Sequence, residues 1–183
     1  MDYHRGEPLR HVGDLPAMAA DRYEGKLAFE YQGDELTYRE LEERSNSLAD
    51  SLVEHGVEPG ERVAIYIENS LQFPVSFFGI IKAGGVAVPL NHRMATGNLT
   101  YILEDGEVDL LVASPVFATT AEDLYDETGV ETVALPGGTR ITTLTSTLGL
   151  RRVTKTSNVS TATSTRLRYS ATRAVRQATL RES

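Results

Sequence analysis

Between Leu71 and Ala83 apolar residues occupy nearly every side of one helix-length segment, and this constrains the fold more than any other feature of the chain. Leu71, Phe73, Val75, Phe77, Phe78, Ile80 and Ile81 leave no polar face, so such a helix must lie buried between layers. Pro74 is tolerable only in its first turn, and Asn69 or Ser70 is placed to cap it. Gly84-Gly85 ends it, and Val86–Val88 returns as a strand. Upstream, Arg62–Ile67 reads as a strand with Val63, Ile65 and Ile67 on one face. Helices at about 97–105 and 117–125 alternate with strands at 109–113 and 131–135. Strand–helix–strand alternation predicts an α/β fold: an open, mainly parallel sheet with helices on its faces.

The approach to this unit is also legible. Lys26–Tyr31 reads as a strand, and Gln-Gly-Asp-Glu at 32–35 as a turn toward Leu36. Thr37 and Glu40 have capping-box spacing, in which hydroxyl and carboxylate each satisfy a free backbone N–H. The helix that follows carries Leu41, Leu48 and Leu52 along one stripe, and Gly56 supplies the left-handed residue that ends it. Pro59-Gly60 makes a turn into the next strand.

Charge divides the chain in two. Residues 1–140 hold 25 acidic and 10 basic side chains, a net of −15, whereas residues 141–183 carry +7, together giving the −8 of the whole. An acidic body whose only lysines are Lys26 and Lys82 suits a high-salt cytoplasm, where net charge maintains solubility. Residues 141–183 contain 17 Ser or Thr, one glycine, no proline and one aromatic residue, Tyr169. Such a segment lacks the apolar material for a core, so it is expected to be a disordered tail. The absence of cysteine excludes disulfides, thiolate metal sites and thiol nucleophiles. The N-terminus has no apolar run of signal-peptide type, and Leu71–Ala83 is too short to span a bilayer. The expectation is a cytoplasmic protein.

Several segments carry a family resemblance in order and spacing. They are Leu36-Thr-Tyr-Arg-Glu-Leu41, Glu58-Pro-Gly-Glu-Arg-Val-Ala64, Gly79-Ile-Ile-Lys-Ala-Gly-Gly-Val-Ala-Val-Pro-Leu-Asn-His-Arg93, Leu103-Glu-Asp-Gly106 and Asp109-Leu-Leu-Val-Ala113. Together they resemble the N-terminal part of the large domain of an adenylate-forming (AMP-binding) enzyme, most like an acyl-CoA synthetase. The resemblance covers roughly residues 14–135. It implies an N-terminal arm at 1–13, a partial AMP-binding α/β domain at 14–138 and a Ser/Thr/Arg-rich tail at 139–183. An intact relative would activate a small-molecule carboxylic acid, a fatty or other acyl acid, with ATP and magnesium, then transfer the acyl group to CoA. An aryl-acid ligase, a carrier-protein adenylation domain and a non-catalytic α/β binding fragment are the alternatives. Neither the acid's chain length nor an oligomeric state is written in the matched segment.

The resemblance implies no catalytic residue here. The family's phosphate loop reads roughly Tyr-Thr-Ser-Gly-Thr-Thr-Gly-x-Pro-Lys-Gly, whereas Tyr169–Ala178 offers no glycine, proline or lysine. Its later elements, a magnesium-holding Glu and a catalytic Lys, fall beyond the matched portion. The expectation is that ATP, magnesium and CoA do not bind productively. One candidate remains: Leu90-Asn-His-Arg93 corresponds to a family segment whose arginine, in some CoA ligases, lies near the CoA nucleotide. A guanidinium suits phosphate through forked hydrogen bonds. The alternative is an arginine that pairs with a nearby carboxylate such as Glu104, or is simply solvated, as helix-to-strand loops commonly carry arginine for solubility. His4, His11, His55 and His92 lack metal-ligand spacing. Gly84-Gly85 ends a helix rather than opening one, so it is no phosphate loop. The basic residues Arg151, Arg152, Lys155, Arg166, Arg168, Arg173, Arg176 and Arg181 have no aromatic interleaving and imply no specific nucleic-acid partner.

The genetic code offers an origin for the tail. Shifted by one frame, Thr codons permit Asp, Lys and Asn codons permit Glu, and Arg codons permit Ala or Pro. Thr154–Arg166 can then become Asp-Glu-Asp-Phe-Glu-Arg-Val-Asp-Gly-Asp-Val-Asp-Ala, which restores acidity. Arg173–Ala178 can become Thr-Gly-Arg-Pro-x-Gly, the end of a phosphate loop, although x cannot be lysine. A frameshifted tail is the reading that accounts for both the charge inversion and the loop pattern.

Overall fold

A computed structural model describes residues 11–134 and 142–143. Val12–Asp14 forms a short 3-10 helix in which His11 and Asp14 cap each other's backbone. The helix α1 (Leu15–Tyr23) follows, then strands β1 (Leu27–Tyr31) and β2 (Asp34–Thr37), which pair antiparallel. The turn between them uses Gln32 and Gly33, both with positive φ (56° and 91°), the twist a two-residue hairpin demands. The sequence pattern placed a turn across 32–35 and missed β2, because exposed Asp34 and Glu35 break the apolar alternation.

The capping box forms as expected: Thr37 accepts from the Glu40 N–H, and Glu40 accepts from the Thr37 N–H at 2.8 Å. It opens α2 (Tyr38–His55), which Gly56 ends at φ 112°. Next come β3 (Arg62–Tyr66), α3 (Gln72–Lys82), β4 (Val86–Pro89), α4 (Thr96–Asp105), β5 (Leu110–Ala113), α5 (Ala118–Thr128) and β6 (Glu131–Ala134). Thr142–Thr143 adds β7, a strand unforeseen in a segment read as tail; residues 135–141 and 144–183, and with them the rest of the tail, lie outside the described residues.

The sheet order is β4-β3-β5-β6-β7, parallel except for β7 against β6. Its two faces read directly from strand alternation. Val63, Ile65, Leu110, Val112 and Val133 face α2 and α3, where Leu41, Leu48, Leu52, Val75 and Ile80 close the first core. Ala64, Tyr66, Leu111 and Ala113 face α4 and α5, where Leu99, Leu103, Ala121 and Leu124 close the second. Each fully buried Leu or Val contributes about 1.5–3 kcal/mol relative to an exposed one. The α/β expectation holds, with a parallel sheet sandwiched by helices.

Two local expectations about α3 change. Its N-cap is Leu71, without a side-chain cap, rather than Asn69 or Ser70. The backbone turns one residue later, and the Phe73 N–H instead reaches the Ser70 carbonyl. Its outer aromatics, Phe73, Phe77 and Phe78, are half-buried against the first core rather than enclosed.

Candidate functional site

The connections define where a site can lie. From β3 the chain passes through α3 to β4 on one side, then returns through α4 to β5 on the other side of β3. That reversal places a topological switch between the carboxyl ends of β3 and β5, where open α/β sheets form ligand crevices. Glu68, Asn69 and Ser70 leave β3 at this edge, Asn91–Arg93 leave β4, and Ser114–Phe117 leave β5. Glu68 Oε2 and Ser70 Oγ are buried there without a hydrogen-bond partner among the described residues.

Three rings tie these connections together. Tyr66, at the end of β3, packs on Phe117 with centroids 4.7 Å apart. Phe117 in turn stacks on His92 at 5.6 Å with an interplanar angle of 25°. Phe117 is held by a short 3-10 turn, Pro115–Phe117, which Ser114 caps through the Val116 N–H. Burial pushes the Tyr66 hydroxyl above its usual range, opposed by a hydrogen bond with Thr120. No sequence signal pointed to this column, because its members come from three connections far apart in the chain.

Arg93 sits at the tip of the β4–α4 turn, exposed. Its N–H donates to Asn91 Oδ1 at 2.9 Å, and the Met94 N–H donates to the Asn91 carbonyl at 3.0 Å. Asparagine commonly makes this local bond, which fixes the turn. The ion pairs among the described residues do not include Arg93, so the alternative pairing with Glu104 does not form there.

The remaining candidates scatter. His11 caps the first 3-10 turn, His55 Nε2 lies 3.2 Å from Glu131, and His92 stacks on Phe117; His4 and the tail arginines lie outside the described residues. Among the described residues no group of three His, Asp or Glu could hold a metal ion. Lys82 pairs with Glu42 and Asn46 of α2, a packing role, with Gly84-Gly85 ending α3 behind it. No helix among the described residues is long and apolar enough to cross a membrane.

Comparison with known proteins agrees with this architecture. The model of the AMP-binding enzyme family matches residues 17–172, further than the motif resemblance reaches. A long-chain-fatty-acid–CoA ligase of Escherichia coli O6:H1 is 37% identical over 123 residues, 67% of this chain and 22% of that protein. A medium/long-chain-fatty-acid–CoA/3-oxocholest-4-en-26-oate–CoA ligase of Mycolicibacterium smegmatis is 31% identical over 118 residues, 64% of this chain and 21% of that protein. A benzoate CoA ligase from Burkholderia xenovorans superimposes with a TM-score of 0.65 at 25% identity, covering 72% of this chain and 27% of that one. The chain therefore spans about a fifth of the length of the curated relatives it matches. With the parallel sheet, its switch point and a matched span from 17 to 172, the chain belongs to the AMP-binding enzyme family.

Proposed function

We propose that residues 14–138 are the N-terminal lobe of a cytoplasmic acid–thiol ligase. It would convert a carboxylate and ATP to an acyl-adenylate and pyrophosphate, then form a thioester with CoA. The observation that carries this reading is the combination of fatty-acid–CoA ligase relatives with an exposed, turn-fixed Arg93 beside the switch point. Arg93 would contribute a guanidinium to a phosphate of the CoA nucleotide, where charge-assisted bonds are strongest. An aryl acid is the alternative substrate, favoured by the likeness to a benzoate CoA ligase.

Among the described residues the glycine pair near Lys82 closes a helix instead of cradling phosphate. The family's phosphate loop is expected near Tyr169–Ala178, which has a side chain at every position. Glycine is what lets a loop's backbone N–H groups approach phosphate oxygens closely, and this sequence lacks it. We therefore read the present chain as inactive in adenylation, its tail translated from a shifted frame. The family match as far as Thr172 favours a second reading, an in-frame but divergent segment. Sequencing the encoding DNA around codons 138–142 decides between them. The first reading expects an insertion or deletion there and an extended open frame downstream in a shifted register. A tail that continues in its own frame, with no extended frame in either shifted register, would establish the second.

A further inference from the structure

We infer that the ring column Tyr66–Phe117–His92 is a positioning device for Arg93, and thereby sets how well the β4–α4 turn holds an anionic nucleotide. This deepens the reading of Arg93 as a CoA-phosphate contact and rests on it. The turn is anchored at its start, where the Leu90 N–H donates to the Ile65 carbonyl at 3.0 Å. It is closed by the two bonds to Asn91 that precede and follow Arg93. Those bonds fix the shape of the turn but not its lean against the sheet. His92 supplies that: its ring lies on Phe117, which lies on Tyr66, a residue 2% exposed in the second core. A run of ring contacts thus leads from the buried end of β3 to the residue next to Arg93. A side chain launched from a fixed tip loses less freedom on binding than one launched from a swinging turn. Arg93 touches the anion; His92 and Phe117 act through it.

The test uses the 183-residue chain, in which the proposed defect lies in catalysis and leaves the β4–α4 turn in place, and adenosine 3′,5′-bisphosphate, the nucleotide end of CoA, as probe, with binding followed by amide and Arg Nε chemical shifts. Arg93→Ala should weaken binding about tenfold or more, the loss of one charge-assisted contact. Phe117→Leu and His92→Ala should each weaken it about two- to tenfold, the entropy of one loosened side chain, with unfolding midpoints little changed. His92→Phe, which keeps the stack without the imidazole, should bind like the parent. If Phe117→Leu does not fold, the two His92 variants on the half-buried turn still decide. Parent-like binding by Phe117→Leu and His92→Ala, with Arg93→Ala impaired, would overturn the positioning role and leave the Arg93 reading standing. Loss in His92→Phe equal to that in His92→Ala would make His92 a direct contact instead. Parent-like binding by Arg93→Ala, or no saturable binding by the parent, would remove the Arg93 reading and this inference with it.

Discussion

Gly79 of α3 lies so close to Leu48 of α2 that a Cβ on the glycine would stand 2.8 Å from Leu48 Cδ2. The two helices meet at this point because one of them has no side chain there. Gly79→Ala should cost about 1–3 kcal/mol in crowding while returning about 1 kcal/mol in helix propensity, a net loss near 1 kcal/mol. In a Leu48→Ala background the crowding vanishes, and the same change should become neutral or stabilising. Denaturant unfolding of the four chains reads the sign directly; a Gly79→Ala effect that is the same in both backgrounds would mean that the contact is not what sets the spacing.

The Thr37–Glu40 capping box makes a second prediction. Thr37→Ala should destabilise by about 1 kcal/mol, measured by urea unfolding at neutral pH. The box also holds the Glu40 carboxyl below its usual range, chiefly through the Thr37 backbone bond, then the Thr37 hydroxyl, with Arg44 assisting. A depressed carboxyl contributes stability that is present above the unfolded value of 4.5 and lost as pH falls through the lower folded value. Glu40→Gln should therefore flatten the acid limb of the stability profile relative to the parent. An unchanged slope would detach Glu40 from it.

Tyr66 acts at the other end of the scale. Its hydroxyl titrates above the usual 10.0 because burial disfavours the phenolate. Its contribution is thus full below about pH 10 and declines as pH rises from there through the folded value. Tyr66→Phe lacks this hydroxyl, so any stability deficit it shows at pH 7 should narrow above pH 10. A deficit that widens with pH would reverse the assignment.

If the tail is frameshifted as proposed, Arg93→Ala in a frame-restored, longer protein should leave pyrophosphate exchange nearly intact and weaken CoA use about ten- to a hundredfold. Measuring exchange and thioester formation separately checks this. Equal loss in both half-reactions would favour a structural arginine.

The repeating parts of the fold were legible from sequence because burial imposes a period. The alternation through Val63, Ile65 and Ile67, the Leu41–Leu48–Leu52 stripe and the Thr37–Glu40 cap each reflect one local rule. What stayed hidden depends on backbone geometry or on distant contacts. The β2 strand carries exposed acids, α1 has Pro16 and a weak apolar stripe, and α3 starts past its nominal caps. At the candidate site, Arg93 was legible through a family resemblance and not through its own chemistry. The column beside it required three connections to be folded together before His92 and Phe117 could be seen as neighbours.

The proposed function gives the chain the family's N-terminal lobe without a working phosphate loop. Acid-dependent ATP–pyrophosphate exchange by the 183-residue protein tests this most directly, with medium- and long-chain fatty acids and benzoate as acids and low- and high-salt buffers in parallel. The expected result on the proposed reading is no exchange above the acid-free control, because the Tyr169–Ala178 sequence lacks the glycines, proline and lysine of the family's phosphate loop. Exchange that rises with any of these acids and saturates would show that the present chain adenylates.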